Sequence, residues 1–156
     1  MKLTSLTLAV AMFGGAAIAA EVGPREVQFN EDGGVEASLS GMAGDPAKGA
    51  EIMANKSMGN CVACHAVTAL SDTPFHGEVG PELDGAGDRW DEAALRGLLV
   101  NPKMMFEGTV MPAFYKIDGF TRPGDAYTGK AAQGDLDPLL SAQDIEDVVA
   151  FLMTLK

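Results

Sequence analysis

The chain has 156 residues, 47% of them hydrophobic, which suits one compact domain and is too short for two full-sized ones. Acidic residues outnumber basic ones 22 to 11, giving a formal net charge of −11. That balance argues against nucleic acid and anionic membrane surfaces as partners and favours a protein carrying a basic patch.

The first twenty residues read as a secretory signal peptide rather than as part of the domain. Lys2 supplies a positive start, Leu3 to Phe13 an apolar run broken by Thr4, Ser5 and Thr7, and Ala17-Ile18-Ala19 a small-residue cleavage pattern. The mature protein is expected to begin near Ala20 or Glu21, and losing Lys2 takes the formal charge from −11 to −12. An uncleaved membrane anchor is the alternative, but the run is shorter than the ~18 to 20 apolar residues a span needs. Export implies an extracytoplasmic compartment, here a bacterial periplasm, with no membrane insertion after cleavage.

Residues 21 to 44 contain Pro24, Gly33-Gly34, Gly41 and Gly44 and few apolar residues, so they read as a loop-rich N-terminal arm. Val27 and Phe29 alternate with polar neighbours and suggest a short extended piece. The arm either packs over the domain or meets a partner. The domain proper is expected over residues 45 to 156. At Asp45-Pro46 a helix should start, with Asp45 capping free backbone N–H groups and Pro46 tolerated at the first helical position. Gly49, Ile52 and Met53 form its inner face, and Gly59 is the expected stop.

Cys61-Val62-Ala63-Cys64-His65 follows at once. On a helix, residues three and four apart share a face, so the two thiols and the imidazole point the same way. Thiols at that spacing can add across the two vinyl groups of a haem while the adjacent imidazole reaches the iron, which makes C-x-x-C-H a c-type haem attachment pattern. Two other readings of the pair are a redox dithiol and half of a zinc site. The following sequence is turn-rich rather than βαβ, and a zinc site would have to draw on two histidines and carboxylates. With Cys61 and Cys64 both bound to haem no disulfide remains, so the core must be helices packed on the porphyrin.

Residues 71 to 88 read as loop, punctuated by Pro74, Gly77, Gly80-Pro81, Gly85 and Gly87. A ligating imidazole usually donates its other N–H to a backbone carbonyl, and the rigid Pro81 turn suits that role, with Leu83 covering a haem edge. Asp91 to Val100 reads as a second helix with Leu95, Leu98 and Leu99 on one face, ended by Asn101-Pro102. A loop with Met104, Met105 and Met111 comes next. Residues 113 to 140 are dominated by turn signals at Asp118-Gly119, Pro123-Gly124-Asp125, Gly134-Asp135 and Asp137-Pro138. This reads as an ordered flap against a partner. The last helix starts at Ser141 with Asp144 three residues on, and Ile145, Val148, Val149, Leu152 and Leu155 trace its buried stripe. Val148 and Phe151 are expected to cross the first helix at Gly49 and Met53.

A soft thioether favours ferrous iron and raises the potential of an electron-passing haem. Met111 is the best candidate for the second axial ligand opposite His65, because Pro112 stiffens the chain behind it. Met104 and Met105 sit too near a helix end. His76 is the competing ligand, but only ten residues separate it from His65, so it reads better as a surface or hydrogen-bonding loop residue.

Taken in order, Gly44-Asp45-Pro46, C-x-x-C-H, Gly80-Pro81-Glu82-Leu83, Asn101-Pro102, Met111-Pro112 and Val148 to Leu152 resemble class I c-type cytochromes, implying an all-α domain around one covalent haem c. More narrowly, Ser38-Leu39-Ser40-Gly41, Gly59-Asn60-Cys61, Phe75-His76-Gly77, Gly87-Asp88-Arg89-Trp90, Thr109 to Tyr115 and Glu146 to Val149 are similar to the SoxX family. SoxX is the monohaem subunit of the SoxAX complex of thiosulfate oxidation. The resemblance covers about Ser38 to Lys156. It implies pairing with SoxA, which carries the catalytic haem, and conjugation of thiosulfate to a cysteine of the carrier SoxYZ, the reaction of an L-cysteine S-thiosulfotransferase. It also implies a soluble cytochrome c acceptor. Cys61 and Cys64 carry over as thioether anchors, and His65 and Met111 as axial ligands. Beside it stand a freestanding monohaem electron carrier and the haem subunit of another dehydrogenase.

Overall fold

The computed structural model describes residues 20–156 except 122, 125–128, 133 and 135. The signal-peptide reading of residues 1 to 19 and the turn signals at Asp125 and Asp135 lie outside these. Four α-helices carry the fold: α1 (Pro46–Ala54), α2 (Ala86–Arg89), α3 (Glu92–Val100) and α4 (Ala142–Leu152). Three short 3-10 turns punctuate the connecting segments, two between α1 and α2 at Cys61–Ala63 and Thr68–Leu70, and one after α3 at Pro102–Met104. The chain is otherwise turn and loop, with one isolated antiparallel bridge between Gly124 and Ala131 among the described residues.

The helix starts follow their capping residues. Asp45 accepts the Ala47 N–H at 2.9 Å, Asp91 that of Ala94 at 2.8 Å, and Ser141 and Asp144 form a reciprocal capping box. The end of α1 comes earlier than expected, at Ala54 instead of Gly59. Asn55 turns extended, with ψ 117°, and its side chain accepts the Ser57 N–H at 2.9 Å. This side-chain turn competes with the helix for backbone partners. A second difference lies at 86–89, where the expected loop holds α2. Its Gly87 N–H donates to the Leu155 carbonyl at 2.9 Å, so the C-terminal residues stabilise a turn too short to stand alone.

Chain ends meet where α1 crosses α4. A Cβ at Gly49 would collide with the Asp147 carbonyl, and that at Gly49 would also press on Phe151 Cβ. Only a glycine lets the two backbones come this close. Ile52, Met53, Val148 and Val149 fill the crossing, and Leu95 and Leu99 of α3 pack alongside; Leu98 is half-buried.

The N-terminal arm contributes to this core. Val35 and Leu39 are buried to 2% and 0% exposure, and no strand forms at Val27 and Phe29. A buried ion pair ties the arm down: Arg96 Nε lies 2.9 Å from Glu146 Oε1, with both side chains near 5% exposed (5% and 6%). The same guanidinium donates to the Val35 carbonyl at 2.8 Å, and Glu146 accepts the Leu39 N–H at 2.7 Å. Asp147, also buried, accepts the Asp45 N–H at 2.8 Å and a Gln143 amide N–H at 2.7 Å. Each buried charge is thus hydrogen-bonded, as its desolvation requires. The flap's two ends are anchored as well, by Phe114 N–H to the Leu99 carbonyl and Leu140 N–H to the Phe114 carbonyl, both at 3.0 Å.

Candidate haem-attachment site

The motif occupies a 3-10 turn, Cys61–Ala63, rather than an α-helix. Asn60 precedes it in the left-handed region at φ 48°, a conformation asparagine tolerates better than most residues. The Cys64 and His65 N–H groups both reach the Cys61 carbonyl, at 3.1 and 3.0 Å. Both cysteines are free thiols, Cys61 half-buried and Cys64 exposed. Burial pushes the Cys61 thiol up to about 12, with the neighbouring Cys64 adding to the rise. Among the described residues no three His, Cys, Asp or Glu side chains gather as a metal cluster would need.

The residues after the motif are bonded, one after another, to the loop at 76–84. His65 Nδ1 lies 2.7 Å from the Pro81 carbonyl, and the Ala66 carbonyl accepts the Leu83 N–H at 3.0 Å. Val67 N–H donates to His76 Nδ1 at 3.3 Å, and Thr68 N–H to Asp84 Oδ1 at 2.9 Å. Gly77 and Gly80 add N–H bonds to the Val62 and Cys64 carbonyls, at 2.8 and 2.7 Å. A Cβ at Gly80 would collide with the His65 ring, so the imidazole lies against bare backbone. Because the Pro81 carbonyl can only accept, His65 Nδ1 carries the proton and Nε2 keeps its lone pair for a metal.

Asp84 is held below the usual carboxylate range by hydrogen bonding from the Thr68 side chain and then its backbone N–H, with smaller help from Glu82 and the Arg89 charge. Arg89 in turn donates to the Asp84 and Glu82 carbonyls, at 2.6 and 3.0 Å, closing the loop on α2.

Of the residues expected to serve the site, Cys61, Cys64, His65, Pro81 and Leu83 lie in this one bonded unit. Leu83 is half-buried against the core. Met111 comes from the loop after α3; it too is half-buried against the core, and its N–H donates to Thr109 Oγ1 at 3.2 Å. Met104 is 52% exposed. His76 uses both ring nitrogens on the backbone, with Nε2 3.0 Å from the Leu70 carbonyl, which leaves neither for iron. Sequence reasoning missed the bracing by His76 and Asp84 and the close approach at Gly80. The Gly-Pro pair marked a turn, but a turn signal does not say what packs on it.

The donor set fits a covalent haem: two thiols on one turn, an imidazole with Nδ1 pinned and Nε2 left to bind a metal, and a half-buried thioether on a separate loop. The comparisons agree. The family model for cytochrome c matches residues 46–156. A chain of the crystal structure of SoxXA from P. pantotrophus is similar at 60% identity and a TM-score of 0.84, over 88% of this chain and 99% of that one. A search of curated proteins returns no match.

Proposed function

Since the chain belongs to the cytochrome c family and, within it, to the SoxX family of one-haem electron-transfer subunits, we propose that it serves in a SoxAX-type complex oxidising thiosulfate in the periplasm. The observation that carries this reading is the 60% identity to a SoxXA chain over 99% of that chain. Residues 1–20 are read as the signal peptide that exports it.

When bound, haem c supplies a one-electron couple between ferrous and ferric iron. Cys61 and Cys64 would hold it through thioethers. His65, oriented by its 2.7 Å contact with the Pro81 carbonyl, would ligate the iron. Met111 would supply the second ligand, a neutral sulfur that favours the ferrous state. Leu83 would help to keep water from the group. In the complex, thiosulfate and a carrier thiol of SoxYZ join as a sulfur–sulfur bond with release of one proton and two electrons. The chain takes those electrons singly and passes them to a soluble cytochrome c. The bond-making belongs to the SoxA partner, because both cysteines of this chain are engaged with haem. The complex as a whole is then an L-cysteine S-thiosulfotransferase.

Met111→Ala tests the ligand assignment. Pyridine haemochrome should still report one covalent haem, while the weak near-infrared sulfur-to-iron band disappears and the reduction potential falls. An unchanged band and potential would exclude Met111. Co-expression with the SoxA subunit tests the rest, since failure to co-purify would refute the subunit assignment.

A further inference from the structure

The triplet Phe75-His76-Gly77 has no task in the proposed function, yet both residues flanking the histidine are tightly constrained. Phe75 holds φ 68°, a backbone region that a bulky side chain adopts only against a steric penalty, and a Cβ at Gly77 would strike the Ala63 carbonyl. Strain of this kind persists only where the surrounding structure over-determines it. Between these two residues the His76 ring makes two bonds that are not equivalent. The Val67 N–H can only donate, so Nδ1 accepts across 3.3 Å; the Leu70 carbonyl can only accept, so Nε2 carries the proton across 3.0 Å. The Leu70 carbonyl also accepts the Thr73 N–H at 2.8 Å, whereas among the described residues His76 is the one partner of the N–H of Val67, a residue 1% exposed. Losing the imidazole therefore strands a buried donor at Val67 and strands nothing at Leu70.

The Val67 N–H belongs to the same planar peptide unit as the Ala66 carbonyl, which accepts the Leu83 N–H at 3.0 Å. That unit starts one residue after His65, and both of its polar ends are pinned to the loop that carries Pro81. With His76 removed, it pivots on the Leu83 bond alone. The His65 backbone then shifts relative to the Pro81 carbonyl that its ring meets at 2.7 Å. We propose that His76 is a positioning residue for the haem ligand His65, acting through the Val67 N–H. This rests on the function proposed above, in which His65 ligates the iron. A ring N–H held by a carbonyl makes an imidazole a stronger donor and so favours ferric iron, and loosening that bond raises the potential. The sign is opposite to that expected for Met111→Ala.

The test uses the haem-loaded full chain, with solvent exchange of the His65 ring N–H followed by paramagnetic NMR and the reduction potential by spectroelectrochemical titration. His76→Gln places an amide N–H at the Nε2 position for the Leu70 carbonyl and gives up the acceptor at Nδ1. His76→Asn does the reverse, setting an oxygen at the Nδ1 position for the Val67 N–H. His76→Gln should speed the exchange about fivefold, the factor that one hydrogen bond of ordinary net strength supplies, and shift the potential upward. His76→Asn should restore both readings to those of the unaltered chain. Tyr115→Phe loses its bond to the Val22 carbonyl, outside this unit, and should move neither reading, which separates positioning from a general loss of stability. Readings for His76→Gln equal to those of the unaltered chain would overturn the proposal, and so would a His76→Asn variant no better than His76→Gln. Either result leaves the ligand assignment standing. If the unaltered haem protein shows no axial-imidazole resonances, that assignment fails and the proposal fails with it.

Discussion

The helical crossing and the loop from Cys61 to Asp84 solve the same problem by different means. At the crossing, α1, α3 and α4 exclude water with apolar side chains and a glycine contact, and the charges they bury are paired: Arg96 with Glu146, Asp147 with backbone and amide donors. The site loop buries few apolar groups and builds no α-helix before α2. Backbone and side-chain hydrogen bonds, residue after residue, hold it instead. A hydrophobic contact is non-directional and sets stability, whereas a hydrogen bond is directional and sets orientation. Damage at the crossing should therefore appear in stability, and damage in the loop should appear in the haem's spectrum and potential.

The sharpest break is Arg96→Met. It strands Glu146 as a buried charge and frees the Val35 carbonyl, and should cost about 3 to 5 kcal/mol in denaturant unfolding. The reduction potential of the folded fraction should not move; a potential shift of the size expected for Met111→Ala would mean the two regions are not separable. Next is Gly80→Ala, whose methyl collides with the His65 ring. A stability loss of about 1 to 3 kcal/mol is expected from overpacking. The diagnostic result is a changed axial-imidazole signature in paramagnetic NMR, and an unchanged one would show that the ring does not depend on this contact.

Tyr115→Phe is milder. The phenol donates to the Val22 carbonyl at 2.8 Å, and its loss should cost about 1 kcal/mol in thermal unfolding, with the spectrum intact. Burial, followed by the nearby Glu21 and Glu26 charges, pushes this phenol up to about 12. A raised folded value makes its contribution complete below the ordinary phenol pKa of about 10, and lost as pH climbs from there through about 12. Ultraviolet titration should find the Tyr115 phenolate late, and the tail of the stability curve over that window should disappear in the phenylalanine variant.

Asp84→Asn should have the smallest effect. The carboxyl of Asp84 is depressed in the folded state, so its contribution is present above the unfolded value of about 3.9 and fades as pH falls below it. The variant should match the unaltered protein in acid and be slightly weaker near neutrality. A variant equally weakened at both would show that the Thr68 contact does not depend on charge.

What the sequence determined by itself was local. Asp45-Pro46, Asp91 and Ser141 with Asp144 announce helix starts because a cap acts within three residues of itself, and Cys61, Cys64 and His65 announce haem attachment because the chemistry demands that spacing. The apolar stripe of α4 is legible for the same reason, as its period is a property of the helix alone. Tertiary structure decided the rest. The arm looks like loop because Val35 and Leu39 lack periodic neighbours, and they become core only when Arg96 and Glu146, far away in sequence, converge on their backbone. α2 exists because Leu155 accepts from Gly87. Gly80 and His76 look like ordinary loop residues until folding lays one against the His65 ring and sets the other across the backbone at Val67 and Leu70. Long-range contacts of this kind leave no period and no spacing in the chain, since their partners are chosen by the packing of the whole.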